Sequence, residues 1–357
     1  MTRTIFWGGI SIALIVLASL LLIHTQEETI VIGVSAPLSG DFSIIGQPLE
    51  QAMHLALEEA MLQHPSEHQF RLVFEDDQFR PNLAIATVNK LISQDNAHVI
   101  VTAGSPTGMA VAPLAQQHQI PHFGIASADV GGQGNMNFNH WTPPRKQAEL
   151  LVQTLEEESI RTIALITLNH EGGMAVRDAV VDELDTSSIR IVGEELFTQG
   201  TTDFRTIWQK TLEQTPDVVF FVAQTPEFEL LLRQRQELGI TTPVVTIESP
   251  LYSEQPELFD GNWFVDAAAH SEEFVHSFEQ HTGRQPFVFS GNAYDIVMLI
   301  VEIQSQFDEV LTAEQFVQAI HAQPERTGVM GDFIVDTDGT FLTEATIKHV
   351  QQGEIIS

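Results

Sequence analysis

Ser105 and Thr107 follow the strand-like run HVIVT at the point where an apolar helical pattern begins. The first N–H groups of a helix have no partner within it, and its dipole puts partial positive charge there. A hydroxyl at that spot can therefore cap the helix or help hold a carboxylate. Glu248 offers the opposite charge. It follows the apolar run PVVTI in a loop ending at Pro250, where an acid can pair with an ammonium, stay solvated or cap a helix. Three more polar loops end strand-like runs: Pro37-Leu38-Ser39-Gly40-Asp41, His170-Glu171-Gly172-Gly173 and Gln224-Thr225. Strand, short polar loop and helix N-terminus is how α/β proteins build small-molecule sites, and paired glycines let a backbone approach closely.

Other chemistries find less support. His64 and His68 are four apart, but Pro65 and Ser66 place them in a loop with no third ligand marked. Asp336-Thr337-Asp338-Gly339 resembles part of a calcium loop without its further acids, and reads instead as a hairpin turn. Neither G-x-S-x-G nor a P-loop occurs. No catalytic residue, metal site or cofactor is expected. A small-molecule hydrolase or metal-dependent enzyme stays as an alternative, because acid–histidine pairs can form in space without a sequence signature.

Composition narrows the field further. The formal charge of the 357 residues is −32, from 16 basic and 48 acidic side chains. A binder of nucleic-acid phosphates is thereby disfavoured, and the acidic surplus reads as a solvated surface or an adaptation to a saline habitat. There are no cysteines, which excludes disulfides, thiolate metal sites and a lipid on an N-terminal cysteine. After Arg3, residues 5–23 form an uncharged apolar run of nearly membrane-spanning length. No small-residue cleavage pattern follows it, so residues 1–27 read as an uncleaved signal-anchor, with a removed signal peptide as the alternative. In either case the rest of the chain lies on the outer side of the cytoplasmic membrane.

The elements that position these loops alternate. Strand-like segments fall at 29–35, 70–75, 98–102, 121–125, 162–167, 189–193, 217–222 and 243–247, with helical patterns between them. This rhythm predicts an α/β fold of mainly parallel sheets flanked by helices. Trp141-Thr142-Pro143-Pro144 interrupts it after four strands, and after residue 248 it gives way to a short strand, helices near 271–281, 291–305 and 312–321, then strand-like 331–335 and 345–350.

From about residue 28 onward the chain resembles type I periplasmic solute-binding proteins of the leucine/isoleucine/valine-binding branch, which serve ABC importers. The stretches IGVSAPLSGDFSIIGQPLEQAMHLALEEA, TAGSPTGMAVAPLAQQHQIPHFGIASAD, FVFSGNAYDIVMLIVEI and TGVMGDFIVDTDGTFLTEATIKHVQQGEI carry the resemblance, in family order. It implies a two-lobed periplasmic-binding-protein type I fold with three hinge crossings, near residues 140–146, 263–270 and 326–331. One lobe would combine 28–142 with 268–328, the other 143–267 with 329–357. It also implies capture of a small polar ligand, an amino acid or related carboxylate, for an ABC permease; a membrane-anchored ligand sensor of the same fold is the alternative.

Residue by residue, the resemblance matches Ser105 to the family's carboxylate-binding serine and Glu248 to its ammonium-binding glutamate, with Ser39 and Thr107 in the adjoining ligand loops. Ala126 and Ala128 occupy the loop that gives relatives a backbone carbonyl and a threonine hydroxyl, and Ala128 lacks that hydroxyl. Thr225 stands where relatives often present an aromatic ring, and Glu171 where they place a tyrosine. These departures argue against carrying leucine over as the ligand. Tyr294 and Asp295, on a helix near the cleft rim, read as structural.

Overall fold

The computed structural model describes residues 28–356 except 254, 268 and 269. The apolar run at 5–23 lies outside the described residues; among those described, no helix is long and apolar enough to cross a membrane. The chain opens as β1 (Thr29–Ala36), α1 (Ser43–Gln63), β2 (Gln69–Asp76), α2 (Pro81–Ser93), β3 (Val99–Ala103), α3 (Ser105–His118), β4 (His122–Ile125) and β5 (Asn137–Asn139). These strands pair in the order β2-β1-β3-β4-β5, all parallel. Helices cover both faces, so β3 is buried throughout and reads as VIVTA.

A second round repeats the plan with α4 (Pro144–Glu157), β6 (Thr162–Leu168), α5 (Glu171–Thr186), β7 (Arg190–Phe197), α6 (Arg205–Thr211), β8 (Val218–Val222), α7 (Glu227–Glu237), β9 (Val244–Ile247) and β10 (Trp263–Asp266). Its parallel strands run β10-β9-β8-β6-β7. The chain then returns to the first sheet as α8 (Glu272–Thr282), α9 (Ser290–Ser305) and α10 (Ala313–His321). Phe274, Phe278, Ile300 and Phe316 from these helices share one core with Ile32, Leu49 and Phe123.

The C-terminal stretch divides between the lobes. β11 (Arg326–Gly328), β12 (Gly331–Val335) and β13 (Phe341–Leu342) form a small antiparallel sheet. At its turn, the Asp336 side chain accepts the Asp338 and Thr340 N–H groups, each at 2.9 Å, the usual way an aspartate closes a hairpin. Phe333 and Phe341 bury in the first core, where Phe341 packs on Phe123 and His140. Only β14 (Thr346–Gln351) and β15 (Glu354–Ile356) join the second sheet, antiparallel, beside β10. The last passage between the two cores therefore falls between Leu342 and Thr346 rather than near 326–331, because two phenylalanines hold residues 331–342 to the first lobe.

The passages are fastened at their roots. Thr142, leaving the first lobe, and Thr343, leaving it for the last time, are buried and share a hydroxyl–hydroxyl hydrogen bond of 2.6 Å. The first turns of α9 hold the neighbouring backbone: Asn292 Nδ2 donates to the carbonyl of His140 at 3.0 Å. Asp295 accepts the N–H groups of Val329 and Met330 at 2.7 and 3.1 Å.

In each sheet the strand order reverses once, between β1 and β3 in the first and between β6 and β8 in the second. Loops diverge at such switch points and leave a crevice at the carboxyl ends of the strands. The crevices of the two lobes face each other.

Candidate ligand site between the lobes

The facing crevices enclose a cavity of about 40 Å³, room for about three water molecules. The first lobe contributes Ile45, Phe79, Ser105, Ser127 and Phe289; the second contributes His170, Gly172, Gln224, Glu248 and Tyr252. Little free space is left between the lobes in this arrangement.

One wall consists of two helix N-termini meeting end to end. A Cβ on Gly172, at the start of α5, would lie 2.7 Å from Ser105 Oγ at the start of α3, so the contact forms only because residue 172 has no side chain. Both dipoles place positive charge at this junction, which favours an anion between them. Ser105 does not cap its helix. Its Oγ accepts the Ala128 N–H at 3.1 Å, which leaves the hydroxyl proton to donate into the cavity. His170 caps α5, accepting the Gly173 N–H on Nδ1 at 2.9 Å. The proton is thereby assigned to Nε2, which is buried and has no hydrogen-bond partner.

Glu248 forms the facing wall and is 3% exposed. Oε1 accepts Trp141 Nε1–H at 3.0 Å and a second bond from Gln147 Nε2, while Oε2 accepts the Tyr252 hydroxyl at 3.2 Å. Burial pushes its carboxyl up to about 8, and the charge of Asp266 adds to that against the three donors. A buried carboxylate aimed into a cavity is stabilised by a cation brought to it.

Backbone strain gathers at the same place. Phe79, Glu248 and Phe289 adopt φ of +60°, +59° and +74°, a region that bulky residues rarely occupy and that clusters at functional sites. The Phe79 ring stacks on Phe42 with centroids 4.5 Å apart and lies against Gly104, where a Cβ would come within 2.2 Å of it. The Phe79 N–H donates to buried Asp77 at 2.8 Å, which holds the turn.

Of the residues singled out in the sequence, the structure brings Ser105 and Glu248 together. Ala126 and Ala128 are buried behind the cavity, their carbonyls accepting from Asn139 at 2.8 and 3.3 Å, and the intervening Ser127 lines it. Thr107 turns away, its hydroxyl donating to the Ala103 carbonyl at 2.7 Å. Ser39 is exposed and bonded to Asp76, Glu171 is exposed at the first position of α5, and Thr225 is exposed and bonds Glu229 and the Tyr252 carbonyl. Their neighbours Gly172 and Gln224 face the cavity instead. Phe79, Tyr252 and Phe289 are not signalled as site residues by the sequence, and Trp141 is signalled only as part of the break in the strand–helix rhythm; Phe79 and Phe289 do occupy loop ends just before helices, the kind of position that marks Ser105. His68 Nε2 bonds the Phe307 carbonyl at 3.0 Å, and no group of three or more His, Asp or Glu side chains placed to hold a metal ion occurs among the described residues.

The profile of the family described as "Periplasmic binding protein" matches residues 29–354. The chain belongs to that family. An amino acid binding protein of Pseudomonas aeruginosa is 24% identical, over 74% of this chain and 72% of its own. Among solved structures, a leucine binding protein of Thermotoga maritima superposes with a TM-score of 0.82 at 17% identity, covering 92% of this chain and 97% of its own. A solute binding protein of an ABC transporter from Rhodopseudomonas palustris, in complex with 3,4-dihydroxybenzoic acid, gives 0.80 at 18% identity, covering 92% and 95%. This periplasmic binding protein thus keeps the two-lobed α/β architecture expected from its sequence.

Proposed function

We propose that this periplasmic binding protein captures a zwitterionic α-amino acid with an apolar side chain, outside the cytoplasm, and delivers it to an ABC importer. The observation that carries the reading is the pairing of a sealed acid with two converging helix N-termini across one small cavity. The ligand carboxylate would lie at Ser105, Gly172 and His170, and its ammonium at Glu248. Phe79, Phe289 and Ile45 would cover the side chain. The similarity to an amino acid binding protein and a leucine binding protein supports the same chemistry.

A second reading has its own observation. With burial pushing its carboxyl up to about 8, Glu248 can hold a proton at neutral pH and donate it to a phenol, as a hydroxybenzoate would require. The two readings predict opposite pH trends. Binding a zwitterion needs ionised Glu248 and releases a proton, so affinity should rise by up to about tenfold per pH unit between 6 and 8; hydroxybenzoate affinity should instead fall above 8. Calorimetric titration of L-leucine, L-phenylalanine, 4-methylpentanoate and 4-hydroxybenzoate at pH 6, 7, 8 and 9 separates them. Stronger binding of the amino acids than of 4-methylpentanoate, with the rising trend, supports the proposal; a response to the hydroxybenzoate alone overturns it.

Gly172 gives a further check. Gly172→Ala inserts a methyl between the two helix ends, so it should hold the lobes apart, weakening amino acid binding about tenfold or more, as misplaced recognition groups do. Thermal unfolding without ligand should change little. Equal affinity in the variant would mean that the helix ends do not meet in the bound state.

A further inference from the structure

Three groups donate to Glu248, and they are not equivalent. Gln147 and Tyr252 are carried by second-lobe backbone, as Glu248 is, and move with it. Trp141 stands in the first passage between the lobes, between the end of β5 and the start of α4, and is 1% exposed. Its indole N–H reaches Glu248 Oε1 at 3.0 Å, while its ring meets Phe289 of the first lobe edge-on, with centroids 5.1 Å apart. One side chain therefore touches the first lobe, the passage and the acid of the second lobe. Both Trp141 and Gln147 engage Oε1, leaving Oε2 with the Tyr252 hydroxyl alone, at 3.2 Å.

We propose that Trp141 is a positioning residue that aims the Glu248 carboxylate at the ligand ammonium and makes its ionisation depend on the angle between the lobes. The inference rests on the amino acid reading above. When the lobes close, Phe289 presses the indole into place and its N–H stabilises the anion; when they part, that donor withdraws and the carboxyl is more readily protonated. Bound ammonium and closure then favour each other, because each stabilises the ionised form. The other titratable groups around Glu248 are Tyr252 on the same loop, Asp266 of β10 paired with Lys348 of β14, His270 beyond the second passage and His170 across the cavity.

The test uses the whole protein in two arms. In the first, carbon-13 spectra of glutamate-labelled protein follow the Glu248 carboxyl, assigned by its absence from Glu248→Gln. Trp141→Phe keeps a ring against Phe289 and loses the N–H, so the Glu248 midpoint should rise by about one pH unit. An unmoved midpoint overturns the proposal. In the second arm, L-leucine and 4-methylpentanoate are titrated into wild type, Trp141→Phe, Glu248→Gln and the double variant. Trp141→Phe should weaken L-leucine about tenfold, mostly through faster release, and should add nothing on top of Glu248→Gln. Additive losses overturn the coupling. If Trp141→Phe does not fold, tryptophan emission serves: a pH titration of emission seen in wild type and absent in Glu248→Gln upholds the contact, and its persistence in the variant refutes it. Glu248→Gln that leaves L-leucine binding unchanged sinks the amino acid reading, while the carboxyl midpoint still decides the role of Trp141.

Discussion

Glu248→Gln is expected to weaken binding of a zwitterionic amino acid by roughly 30- to 4,000-fold, since truncating one side of a buried hydrogen-bonded charge pair costs ~2–5 kcal/mol. Glutamine has nearly the same shape, and its carbonyl can still accept from Trp141 and Gln147, so the pocket should survive. The matching carboxylic acid without the amino group should lose little. Calorimetry on both ligands decides the matter; equal losses for the two would show that Glu248 shapes the cavity rather than meeting an ammonium. The same variant carries a stability signature whose sign can be stated. The folded carboxyl sits at about 8, above its ordinary value of 4.5, so the folded state binds the extra proton and wild type loses stability as pH rises from 4.5 to 8. Glu248→Gln should lack that component and gain on wild type across the interval.

The largest expected loss of stability lies at Asp295. Its carboxylate is 4% exposed and accepts two backbone N–H groups at the loop between β11 and β12, with His140 Nε2 3.6 Å away. Asp295→Ala leaves two donors, one buried at Met330 and one half-buried at Val329, without their acceptor, at ~1–3 kcal/mol each when buried, so a loss of about 3 kcal/mol is expected. Asp295→Asn keeps one acceptor oxygen and should lose roughly half as much. Urea unfolding monitored by circular dichroism measures both. Equal losses from the two variants would mean that the charge, not the count of acceptors, holds the loop.

Much of this arrangement is legible in the sequence because it repeats. Runs such as VIVTA and VVFFV can be little else than strands buried on both faces, and the polar residues that end them mark the carboxyl edge where the crevices form. Ser105 and Glu248 were accessible to that logic. Thr107 was not: a hydroxyl one turn into a helix can face the ligand or fold back on the preceding carbonyls, and only the packed structure shows the second. Phe79 and Phe289 escaped notice because aromatic residues before helices are common, and their left-handed backbone leaves no trace in residue type. The C-terminal segment divided differently from the resemblance because Phe333 and Phe341 find their partners in the distant His140 and Phe123, a contact no local pattern announces.

The hydrogen bond between Thr142 and Thr343 constrains how the two lobes could grip a molecule. Two of the segments that cross from one lobe to the other are pinned side by side, so any movement of the lobes is expected to be a swing, like the covers of a book, rather than a slide. Glu248 is carried by the second cover, and on our proposal it gains its Trp141 donor only as the covers meet. Ser105 and Gly172 lie on the pages, and their separation grows with every degree of opening. On the amino acid reading, the amine and carboxylate ends of a guest are therefore expected to be clasped together, as the covers shut.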